Sequence, residues 1–113
     1  MSNGRLSVSP VASSSFNLGF PGATPAVSAN GTSNAIVWAI DSTQYGFPDQ
    51  ASPGPAVLHA FDATDVANEF YNSTMAAGNR DTAGSAVKFA VPTIANGKVY
   101  IGTQTELDVY GVL

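Results

Sequence analysis

The stretch that decides how this chain is read is "PTIANGKVYIGT", residues 92–103. A proline leads a short apolar strand, Asn96-Gly97 makes a turn, and Val99, Tyr100 and Ile101 continue as a second strand. Asn-Gly between two apolar runs is a strong local hairpin signal, because both residues accept the positive φ of a tight turn. Downstream, "TQTE" leads into "ELDVYGV" (106–112), a third strand. A last strand in a sheet leaves an edge of unpaired backbone groups, so something is expected to pair with it.

Upstream the same order occurs once more. "PAVSANG" (25–31) aligns with "PTIANG" (92–97), "AIVWAI" (35–40) with "KVYIGT" (98–103), and "VLHAFDA" (57–63) with "ELDVYGV" (106–112). "AIVWAID" and "AVLHAFDA" are short apolar runs bounded by turn residues and read as buried strands. The first half continues through Asp62-Ala63-Thr64-Asp65 into a fourth, more polar strand, "NEFYNS" (68–73). The second half has none. The candidate for it is "RLSVSPVAS" (5–13), which alternates apolar and polar residues. Gly- and Ala-rich linkers follow both fourth strands, with Phe20 and Phe89 shortly before the Pro-led strands. Helical periodicity is weak throughout.

Four-stranded units repeated in tandem are the signature of a β-propeller. The wording resembles the quinoprotein-like propellers, the repeat of PQQ-dependent alcohol dehydrogenases and their non-enzymatic relatives. "PTIANGKVYIGT" matches the first part of that repeat and "LHAFDATDVANEFYNS" the second. Two departures stand out: "TDVAN" replaces the usual Thr-Gly turn, and Phe70 and Tyr71 stand where the repeat ends in Trp. The resemblance implies an all-β chain of two four-stranded antiparallel blades, like the last two blades of a longer bacterial propeller. The unit is single: residues 5–13 as a closing outer strand, about 24–75 as the first blade and about 88–113 as the second. The closing strand comes from the same or a neighbouring chain. Neighbouring copies are expected, with Leu6, Val8 and Val11 beside Leu107 and Val109 in a homo-oligomer. Three copies would give six blades and four would give eight. The resemblance also implies a periplasmic or secreted protein.

Composition bounds the function. The 113 residues are 44% apolar and 11% charged, which fits a folded β-rich chain. The net charge is −4 and the basic residues are Arg5, Arg80, Lys88 and Lys98, scattered along the sequence. That pattern argues against nucleic acid and against an anionic membrane surface. Without cysteine there is no disulfide, thiolate catalysis or zinc–thiolate site. No apolar run reaches the length of a membrane span, and "MSNGRLSVS" has no hydrophobic core of a signal peptide.

Little points to chemistry. His59 is the single histidine and sits on a strand, where a structural role is expected. Asp41, Asp62 and Asp65 stand at strand ends, where Asp caps turns. No calcium loop, phosphate loop or nucleophile elbow occurs, and no cofactor is expected, PQQ included. "NGT" (30–32) and "NST" (72–74) read as turns. The loop "STQYGFPDQASPGP" (42–55) replaces the four residues "TQTE" of the second half. Its Tyr45 and Phe47, with Arg80 and Asp81 of "GNRDTAG", are the candidate ligand contacts. The leading expectation is a non-catalytic structural or interaction module that closes into a ring. The alternatives are a carbohydrate-binding propeller using Trp38, Tyr45 and Tyr71 as platforms, and a fragment of a propeller enzyme, a dehydrogenase or lactone hydrolase.

Overall fold

The computed structural model describes residues 4–46 and 52–111. Among them are seven strands and no α-helix: β1 Ala26–Asn30, β2 Ser33–Asp41, β3 Val57–Asp62, β4 Glu69–Asn72, β5 Thr93–Ala95, β6 Lys98–Gly102 and β7 Leu107–Tyr110. A single 3-10 turn, Ala77–Asn79, interrupts the linker. The strands form two antiparallel sheets, a four-stranded one in the order β1-β2-β3-β4 and a three-stranded one in the order β5-β6-β7.

Turn chemistry sets the boundaries. Asn96 and Gly97 have φ values of 51° and 71°, so both central residues of the β5–β6 hairpin are left-handed, as a tight primed turn requires. Asp41 Oδ1 accepts hydrogen bonds from the amide and hydroxyl of Thr43, and Asp62 Oδ1 does the same for Thr64. Asp65 accepts from the Ala67 amide. These Asx turns are the role expected of the strand-end aspartates.

The strand registers relate the sheets. Trp38 pairs with Ala26 on one side and Ala60 on the other, while Tyr100 pairs with Thr93 and Val109. Ala26 and Thr93 both follow the leading proline, so Trp38 and Tyr100 are equivalent, as are His59 and Asp108, and Phe61 and Tyr110. This corrects the sequence alignment of the central strands, which set Trp38 against Ile101. The register shift between Ser28 and Asn30 puts an extra residue into the first hairpin. One residue of slip exchanges the two faces of a strand, so the correction decides which side of each sheet corresponds to which.

Trp38, Ile40, Leu58 and Ala60 share the inner face of the first sheet. Ile40 and Leu58 pack into one core with Val99 and Ile101 of the second sheet, with Trp38, Ile94 and Tyr110 against it. Val99 and Ile101 are the equivalents of Val37 and Ala39, which lie on the outer face of the first sheet. The two sheets therefore stack head to tail, and β1 lies against β5. The linker between β4 and β5 runs through this seam, with Ala83 and Ala86 in the core. The Ala56 amide donates to the Gly84 carbonyl and the Gln104 amide to that of Ser85, tying both β-strand connections to the linker.

Among the described residues the expected closing strand is not formed within the chain beyond a single bridge residue, Arg5. Residues 6–13 form no strand, and Leu6, Val8 and Val11 are almost wholly exposed. Among the described residues β7 has a neighbour on one side only.

Candidate functional site

Three features converge on the second sheet: a cleft, an open edge and a bare face. The cleft has a volume of about 700 Å³ and lies between the sheets on the side of β4 and β7. Trp38, Tyr71, Val99 and Tyr110 form its walls, with Arg80 and Asp81 among its polar lining. Trp38 Nε1 donates to Ser28 Oγ at 2.9 Å, which fixes the indole against the inner face.

Asp81 is the hub of the polar side. It accepts Arg80 Nε at 2.7 Å and Arg80 Nη2 at 3.0 Å, and its Oδ2 accepts the Tyr71 hydroxyl at 2.8 Å. The Arg80 and Tyr71 donors hold the carboxyl down to about 2. Burial, reinforced by the Asp81 carboxylate, pushes the Tyr71 hydroxyl well above its ordinary value. Burial and Asp108 raise Tyr110 to about 12. The Tyr110 hydroxyl donates to the Asp81 backbone carbonyl at 2.9 Å, and Asp108 accepts the Gly84 amide. The network thus satisfies its own members and braces the β4–β5 linker across both sheets.

The four expected ligand contacts do not form one cluster. Arg80 and Asp81 stand together at the cleft. Tyr45, expected on an exposed rim, is turned inward and buried in the inter-sheet core, with Lys88 Nζ 4.3 Å from its ring centroid. Phe47 lies outside the described residues. Of the three aromatic platforms, Trp38 and Tyr71 share the cleft and Tyr45 lies elsewhere.

His59 is 2% exposed, with Nδ1 2.5 Å from Glu69 Oε1 and the Phe16 ring 4.5 Å away, centroid to centroid. Its Nε2 has no hydrogen-bond partner among the described residues. Sequence reading missed Glu69 as a partner, because the β3–β4 register carries an irregularity between Ala60 and Phe61. Among the described residues no group of three or more His, Cys, Asp or Glu could hold a metal ion.

The bare face belongs to the second sheet. Tyr100, Leu107 and Val109 are the equivalents of Trp38, Leu58 and Ala60, which the second sheet covers. Among the described residues no sheet covers them: Tyr100 is half-buried, and Leu107 and Val109 are 64% and 50% exposed. Among the described residues no helix is long and apolar enough to cross a membrane. Comparison with family models, curated proteins and solved structures at a stringent threshold finds no match.

Proposed function

We propose that this chain is a non-catalytic structural module that self-associates into a closed ring, its sheets serving as blades of a quinoprotein-like β-propeller. The observation that carries the reading is the pairing of two unmet needs. Among the described residues β7 has an open edge, and residues 6–11 carry Leu6, Val8 and Val11 into solvent. Burying each of those side chains would contribute roughly 1.5–3 kcal/mol. Phe16 lies tilted against His59 at the outer face of the first sheet, which anchors the residues that follow the segment on the side away from the second sheet. Its partner is then the β7 edge of a neighbouring copy. Three or four copies would complete a ring of six or eight sheets, which leaves no open edge.

The test places aspartate at Leu6 and Val8 together. The double variant is expected to sediment as a single chain with its strand circular dichroism unchanged. An assembly of unaltered mass in the variant, or a single chain in the parent protein, overturns the reading.

The cleft supports a second reading, carbohydrate binding. Trp38 and Tyr71 offer aromatic surface beside the Arg80–Asp81 pair. A glycan array gives the answer: a hit lost on Tyr71→Ala supports it, and a blank array rejects it.

A further inference from the structure

The seam inside the chain is a template for a seam between chains. The inner face of the first sheet, built on Trp38, Leu58 and Ala60, meets Val99, Ile101 and Tyr110 of the second. By register, the first set recurs on the bare face of the second sheet as Tyr100, Leu107 and Val109. The second set recurs on the outer face of the first sheet as Val37, Ala39 and Phe61. Both halves of the inner contact therefore exist a second time, on opposite sides of the chain.

The linkers follow the same correspondence. Counting back from the leading prolines, Ala83 before Pro92 matches Phe16 before Pro25. Ala83 lies in the inner seam, and its neighbour Gly84 donates its amide to Asp108. Phe16 lies on the outer face of the first sheet against His59, the equivalent of Asp108. Residues around Phe16 already occupy the place of a seam linker, although no second sheet stands there. Phe16 packs on His59 there, on a face where Ala39, His59 and Phe61 are buried although no sheet among the described residues lies over it.

We infer that the bare face of the second sheet docks on the Phe16-covered outer face of the first sheet of a second copy of this chain. The inference rests on the self-association proposed above and deepens it by naming both surfaces. The contact is head to tail, because the two surfaces differ. A repeated head-to-tail step with a fixed rotation is what closes a ring. The occupant is a second copy because the missing surface is one that the chain itself carries. A contact between like faces would place Leu107 against Leu107, a pairing for which the inner seam offers no model.

The absence of cysteine makes the geometry directly readable. Val27→Cys and Tyr100→Cys are prepared separately. These positions match Ile94 and Trp38, which pack on the same core across the inner seam. Each variant is treated with a short bismaleimide alone and after mixing, and its mass is measured first. The expected result is a covalent dimer in the mixture that dominates over the dimer of either variant alone. A second variant, Val109→Asp, is expected to weaken association by about tenfold or more, since it sets a charge in place of apolar surface at the contact. Oligomers that give no mixed dimer overturn the docking while self-association stands. Dimers formed equally by one variant alone point to a like-face contact and overturn it too. A parent protein that stays a single chain removes both proposals.

Discussion

The two sheets have the same strand order and near-equal registers, yet they end in different surroundings. The first has four strands, with one face against the second sheet and the other under residues around Phe16. The second has three strands, one covered face and one bare face. Equivalent residues take opposite fates: Leu58 is fully buried and Leu107 is 64% exposed. The difference is one of neighbours and not of local sequence, for both positions are leucines on a strand following a Pro-led hairpin. A repeat unit cannot bury both of its faces alone, and the bare half is the surface to which the proposal assigns a second copy.

The sharpest way to break this comparison is to make the same change in both places. Leu58→Ala should cost about 2–5 kcal/mol in urea unfolding, since it opens a cavity in the shared core. Trp38→Phe removes the hydrogen bond to Ser28 and should cost about 1 kcal/mol by the same measurement. Leu107→Ala, on the bare face, should change the stability of the dilute single chain by less than about 0.5 kcal/mol. It should nonetheless weaken association in a dilution series. Equal costs at Leu58 and Leu107 in the dilute chain would show that the second sheet is covered as well as the first.

The smallest effect is electrostatic. The Asp81 carboxyl is held down to about 2 against an ordinary value of 3.8, through Arg80 and then Tyr71. A lowered carboxyl contributes stability that is complete above its unfolded value, near 4, and is lost as pH falls toward 2. Near-ultraviolet circular dichroism, which reports the aromatic packing of Trp38 and Tyr71, should therefore change between pH 4 and pH 2. Asp81→Asn should flatten that change. An unaltered acid profile in the variant would remove Asp81 as its source.

Much of the fold is legible in the sequence. The Pro-led strands, the Asn96-Gly97 turn and the apolar runs at 35–41 and 57–62 each appear where local pattern and turn chemistry place them. The aspartates at 41, 62 and 65 act as turn caps for the same reason. The extra residue in the first hairpin is not legible, because "SANGTSN" satisfies the turn rules in either register. Tyr45 is misjudged for a related reason. A long polar loop reads as surface, and nothing local shows that one aromatic within it folds back to fill the inter-sheet core. Of the site, the sequence shows Arg80 beside Asp81, but the Tyr71 and Tyr110 hydroxyls reach that residue only through tertiary packing. His59 and Glu69 are ten residues apart and meet only across a strand pair.

The central claim is that the open edge and bare face of the second sheet belong to another copy. Absolute mass in solution, by light scattering behind size exclusion, tests it most directly. The account predicts a closed species of three or four chains of 11.5 kDa each. A single species of 11.5 kDa at every concentration would contradict it.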